Sequence, residues 1–132
     1  ALINGERETG VTIMLLDEGE DTGDIISQKA VEILADETSI DLHDRLANLA
    51  PSLLIKAIEQ CKAEGGKPFH YPQDNRKSSQ APKLTKSTGI IDWNDNAEQI
   101  YNLVRGTFGW PGAKTQLAGV QVKIINCTVL GL

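Results

Sequence analysis

No stretch of this sequence approaches the roughly 18 contiguous apolar residues that a membrane-spanning helix requires. The opening segment ALINGERETG does not read as a signal peptide. Cysteine is scarce: Cys61 and Cys127 stand far apart, with no CxxC or Cys/His spacing. That pattern predicts two buried free thiols in a cytoplasmic protein. Internal repeats and low-complexity tracts are absent. Cations are sparse in the first half, where residues 1–66 carry five Lys and Arg against 14 Asp and Glu, a charge of −9. Such a surface is a poor nucleic-acid partner, because phosphates need clustered cations. Residues 67–132 reverse the balance to +4, so a polyanion contact stays open there while the whole chain carries −5.

What is present suffices for a globular fold. With 132 residues, 40% hydrophobic and 23% charged, the chain is one domain, or one with part of a second, and can bury a core.

VTIMLL, residues 11–16, is a continuous apolar run of strand length, and IISQKAVEI, residues 25–33, is rich in β-formers. Joined through glycines, they predict a hairpin-like pair. Leu42, Leu46, Leu49, Leu53, Ala57 and Cys61, widened by Leu54 and Ile58, repeat at helical spacing. They predict an amphipathic helix over about 39–64, with Thr38 and Asp41 as a capping box, Gly65-Gly66 as the stop and a kink near Pro51. Residues 65–83 are polar and proline-containing, a long loop or linker. A second helix follows, capped by Asn94 or Asn96, with Ala97, Ile100, Tyr101, Val104 and Phe108 on one face. The alternation around Ala118-Gly119 predicts a closing hairpin, which alone is marginal in water.

LLDEGEDTGDII, residues 15–26, places five carboxylates within Asp17–Asp24. The EF-hand ladder fails, since alternate positions from Asp17 hold Gly19 and Asp21, so no metal site is expected. Two readings stay open. One is a solvated turn of Asp and Gly. The other is a loop in which mutual repulsion raises one carboxylate's pKa and tunes it for proton transfer.

ETGVTIMLLDEGEDTGDIISQ, then LHDRLA, APKLTKSTGIIDWN, NLVRG and WPGA resemble, in that order, the methionyl-tRNA formyltransferase family, within the wider group of enzymes that use 10-formyltetrahydrofolate. The resemblance spans nearly the whole chain. It implies an α/β fold: the second half of a Rossmann-like formyltransferase sheet domain (1–66), a linker (67–92) and the start of an OB-like β-barrel domain (93–132). It implies formyl transfer from 10-formyltetrahydrofolate to the amino group of methionyl-tRNA. Enzymes of this group use an Asn and a His to stabilise the oxyanion and an Asp to orient the His and assist proton transfer.

By that resemblance Asp21, before the TG of DTGD, is the catalytic Asp. Asp17, Glu18, Gly19 and Glu20 border the folate, Thr12 and Met14 face the cleft, and Thr22 and Gly23 shape the turn. Lys83, Lys86, Arg105, Lys114 and Lys123 are candidate tRNA phosphate contacts by the same analogy. Trp93 and Trp110 are expected to pack rather than stack on bases.

The family's Asn and His belong to an upstream segment outside these residues. His43 and His70 are expected at the surface and do not replace that His. The 132 residues alone are therefore expected to transfer no formyl group, which leaves a binding or interaction role as one alternative. A 10-formyltetrahydrofolate hydrolase domain or a sugar N-formyltransferase is another. An exposed sheet edge near residues 11–33 is expected to favour self-association.

Overall fold

The computed structural model describes residues 1–130; the last two positions of the expected 93–132 domain lie outside them. Its elements are mixed α and β. A short 3-10 helix (Leu2–Asn4) precedes β1 (Glu8–Met14) and β2 (Ile25–Glu32). Helix α1 (Ser39–Ala63), helix α2 (Ala97–Gly106), β3 (Ala113–Leu117) and β4 (Val120–Ile124) follow. Two compact units form. One holds Ala1–Thr9, Glu32–Asp44 and the chain from Pro82 onward; the other holds Gly10–Val31 and Arg45–Ala81.

β1 and β2 form a two-stranded sheet. Leu15 N donates to Asp24 O at 2.8 Å, and Ile33 N donates to Arg7 O at 2.8 Å, so the chain doubles back on itself. The first strand ends at Met14, earlier than the apolar run suggested, and Leu16 is 91% exposed. The acidic loop draws it off the sheet.

Helix α1 starts on the expected box: Thr38 N and Oγ1 donate to Asp41 Oδ2 at 3.0 and 2.6 Å. These bonds hold the Asp41 carboxyl below its ordinary value of 3.8. At the other end Gly65 and Gly66 take φ of 67° and 90°, and Gly66 N donates back to Cys61 O at 2.8 Å. The helix runs through Pro51, whose exposed ring removes one bond without ending it. The buried stripe is narrower than the spacing suggested. Leu42 and Ala57 are buried, whereas Leu54, Ile55 and Ile58 are about half exposed, because no further layer covers that side among the described residues.

In the first unit, Ile91, Val104 and Ala113 form a buried cluster, with Ile100, Leu103, Ile124 and Cys127 against it. α2 is capped by Asn96 rather than Asn94: Gln99 N donates to Asn96 Oδ1 at 2.9 Å, and Asn96 N to Gln99 Oε1 at 3.0 Å. Its inward face also holds the buried Asn102, its C-cap Thr107 is buried as well, and Phe108 lies beyond the helix end and is exposed. Thr107 escapes an apolar pattern because its hydroxyl is satisfied by Leu103 O at 2.7 Å.

The closing hairpin pairs Leu117 with Val120 across Ala118-Gly119, whose φ of 49° and 80° are those of a tight primed turn. It is not alone. Ile91 N donates to Lys114 O at 2.9 Å and Lys114 N donates to Gly89 O at 2.7 Å, adding a short parallel segment to the edge of β3.

Two expectations are corrected. Both cysteines are free but only half-buried, and partial burial raises the Cys127 thiol. Trp93 and Trp110 are 64% and 57% exposed, and Trp93 is tethered by its indole N–H to Thr115 Oγ1 at 2.8 Å.

Candidate active site

The loop between β1 and β2 is knotted rather than splayed, despite its charge. Asp17 Oδ1 accepts from Gly19 N at 3.0 Å, and Thr22 Oγ1 lies 2.7 and 2.9 Å from the two Asp17 oxygens. One carboxylate thereby closes the loop on itself, as Asp does in Asx-type turns. Gly23 is buried, and a side chain there would strike Leu15 O. Asp21 sits between these points at φ 54°, a left-handed conformation that Asp tolerates better than most residues.

Residues 68–74 line the same loop. Tyr71 and Ile25 exchange backbone bonds, Ile25 N to Tyr71 O at 2.8 Å and Tyr71 N to Ile25 O at 3.1 Å. His70 Nδ1 lies 2.7 Å from Asp24 Oδ2, with both side chains partly exposed. Gln73 Nε2 donates to Asp21 O and to Gly23 O, each at 2.8 Å. Asp74 is bound by Arg76 at 2.8 and 3.0 Å, which holds its carboxyl below the ordinary range.

These segments enclose a cleft of about 670 Å³ whose lining includes Glu20, Asp21, Gln28, Tyr71 and Gln73. Of the residues that the resemblance singled out in this loop, Asp21 (as catalytic) and Glu20 (as folate-bordering) line this cleft, while Asp17, Glu18 and Gly19 do not. Thr12 and Met14 each touch a lining side chain: Gln28 Nε2 donates to Thr12 Oγ1 at 2.8 Å, and Met14 Sδ is 3.7 Å from Gln73 Nε2. An exposed carboxylate at the rim of a polar cleft is placed to accept a proton or a hydrogen bond from a bound group. Among the described residues no three His, Cys, Asp or Glu side chains are grouped to hold a metal ion.

The other unit has a smaller basic cleft of about 330 Å³, lined by Lys86, Lys114 and Lys123 beside Trp110, Pro111, Gln121 and Val122. Lys114 and Lys123 are direct partners in the β3–β4 register. Lys83 is exposed and lies outside this cleft. Arg105 is not a free cation. Its Nε donates to Asn102 Oδ1 at 2.9 Å, Nη1 to Leu34 O at 3.2 Å, and its guanidinium stacks 5.4 Å from the Tyr101 ring. Its bond to Leu34 O, 71 residues away in the chain, is the part of that commitment that sequence spacing does not reveal.

Residues 1–58 match the family described as formyl transferase, and residues 83–131 match its C-terminal domain. The chain belongs to the formyl transferase family. It is 45% identical over 129 residues to the methionyl-tRNA formyltransferase of Alkaliphilus oremlandii, covering 98% of this chain and 41% of that one. The chain thus spans about two fifths of the length of the curated relatives it matches. An N-formyltransferase from Helicobacter canadensis, solved with folinic acid and dTDP-3-aminofucose, superposes with a TM-score of 0.76 at 27% identity, covering 94% of this chain and 45% of that one. Methionyl-tRNA formyltransferase from Clostridium thermocellum shares the fold, with a TM-score of 0.73 at 18% identity over 98% of this chain and 56% of that one.

Within this formyl transferase chain, sequence reasoning missed His70, Tyr71 and Gln73 as parts of the acidic loop's surroundings. The available signal was the polar, proline-bearing stretch FHYPQD in a long loop, since such loops often serve a site.

Proposed function

We propose that this chain serves the transfer of a formyl group from 10-formyltetrahydrofolate to the amino group of methionyl-tRNA, a step of cytoplasmic translation initiation. The supporting observation is the held loop that brings Asp21 to the cleft, together with 45% identity to a methionyl-tRNA formyltransferase. In this reaction the amine attacks the formyl carbon and the bond to the folate nitrogen breaks. The amine loses a proton and the folate nitrogen gains one. Asp21 is the carboxylate assigned to that proton movement. Glu20, which lines the cleft, is assigned to the border of the folate with Thr12 and Met14 nearby, and Asp17, Glu18 and Gly19 are kept on that border by the resemblance alone.

The expected division into 1–66, 67–92 and 93–132 is retained as a proposal, with β3 and β4 as the first strands of an OB-like barrel. Lys83, Lys86, Lys114 and Lys123 are assigned to tRNA phosphates, whereas Arg105 is engaged within the fold. Self-association through the sheet edge near residues 11–33 is also proposed, since β1 has β2 as its strand partner. Light scattering over a concentration series tests it, and a monomer throughout contradicts it.

The natural full-length gene product, given 10-formyltetrahydrofolate and either methionyl-tRNA or an amino-sugar nucleotide, tests the acceptor. Formylmethionyl-tRNA as the main product supports the proposal. Formylated sugar, or no product, contradicts it.

A further inference from the structure

We infer that Gln73 is the positioning residue of the candidate active site: its amide fixes the backbone on both sides of Thr22 and so sets where the Asp21 carboxylate stands. The inference rests on the role proposed for Asp21. Its geometric basis is independent of that role.

Gln73 belongs to the polar loop after α1, 52 residues from Asp21 in sequence. Its amide nitrogen reaches two carbonyls of one loop, Asp21 O and Gly23 O, both at 2.8 Å. Because both partners only accept, the amide must present its NH2 group, and its two N–H bonds match the two carbonyls. A third contact, Met14 Sδ at 3.7 Å, ties the same side chain to the end of β1. Gln73 is half-buried and its bond to Gly23 O is partly shielded from solvent, while its bond to Asp21 O lies at the surface.

The remaining fastenings do not do this. The Asp17–Thr22 knot holds the loop's outer arc, and the Tyr71–Ile25 and His70–Asp24 contacts hold its exit. Asp21 itself adopts φ 54°, a left-handed conformation that Asp tolerates but that is sparsely populated, so contacts to its own peptide bias it further. Gln73 is the side chain that grips that residue's own peptide. Freed from it, the loop regains neighbouring conformations and the carboxylate moves by a distance comparable to a bond length. Displacement of that order costs a reacting group about 10²-fold in rate.

The test uses the natural full-length gene product with Gln73→Met, which keeps the length and removes both donors, and Gln73→Glu, which keeps the shape and leaves only acceptors. Both variants are expected to lower kcat for formyl transfer about 10²-fold with KM for each substrate within about twofold. Amide exchange over residues 18–24 should accelerate about tenfold or more, while exchange in α2 stays unchanged and the melting temperature falls by no more than a few degrees. Wild-type kcat in either variant overturns the positioning role. So does a loss of activity accompanied by faster exchange throughout, α2 included, which marks a merely structural residue. If the wild type forms no formyl product, the proposed function fails, and the loop exchange alone then decides whether Gln73 holds Asp21.

Discussion

Gly23→Ala asks whether the acidic loop is as tightly built as its hydrogen bonds indicate. Gly23 is buried, and an added Cβ would fall against Leu15 O and 2.8 Å from Leu15 C. The obstacle is backbone, so it cannot rotate aside. Relief requires the return limb of the loop to shift, which strains the Leu15 N to Asp24 O bond of 2.8 Å and the Gln73 bond to Gly23 O of 2.8 Å. Each such bond contributes about 0.5–1.5 kcal/mol net, and overpacking of this kind costs about 1–3 kcal/mol. Alanine's smaller unfolded-state entropy returns about 0.4–1 kcal/mol. The net expectation is a destabilisation of about 2–4 kcal/mol. Urea unfolding followed by far-UV circular dichroism measures it, with amide exchange locating the loss. A Gly23→Ala chain within about 0.5 kcal/mol of wild type refutes the close approach.

Two further outcomes follow from charge. Asp41, Asp74 and Asp92 are all held below their ordinary value of 3.8 by bonds from Thr38, Arg76 and Asn94 respectively. Carboxyls depressed in the folded state stabilise it above the unfolded pKa, and this contribution disappears as pH falls through the folded value. The urea midpoint should therefore drop below about pH 4 and drop less in Asp41→Asn; a midpoint that rises on acidification contradicts the assignment. Lys114→Gln with Lys123→Gln removes like charges placed directly opposite on β3 and β4. This should leave stability equal or slightly raised while lowering the salt slope of tRNA binding by about 1.4–1.8. An unchanged slope removes these lysines from the tRNA surface.

The periodic parts of the fold were legible in sequence. α1 was readable to within a residue because its stripe, the Thr38–Asp41 box and the Gly65-Gly66 stop agree with one another. The Ala118-Gly119 hairpin was readable because apolar and polar residues alternate on both sides of a glycine, which takes its φ of 80° at no steric cost even though Ala118 at 49° does not. The reading failed where contacts join distant segments. Periodicity does not encode Gln73 meeting Asp21, or Gly89–Ile91 pairing with Lys114. Nor does it encode how much of an apolar stripe finds cover, which is why Leu54 and Ile58 were expected deeper than they lie. At the site, composition showed an acidic turn, and the resemblance singled out Asp21 in it. The polar segment that fastens Asp21 in place became visible only in three dimensions.

The acidic loop is proposed to present the Asp21 carboxylate to the reacting groups. Asp21→Asn keeps the size of the side chain and leaves the backbone carbonyl that Gln73 grips. Steady-state formyl transfer to methionyl-tRNA by the natural full-length gene product measures the effect. The expected result is a kcat lower by about 10²–10⁴-fold with folding unchanged by circular dichroism. A kcat within about twofold of wild type contradicts it.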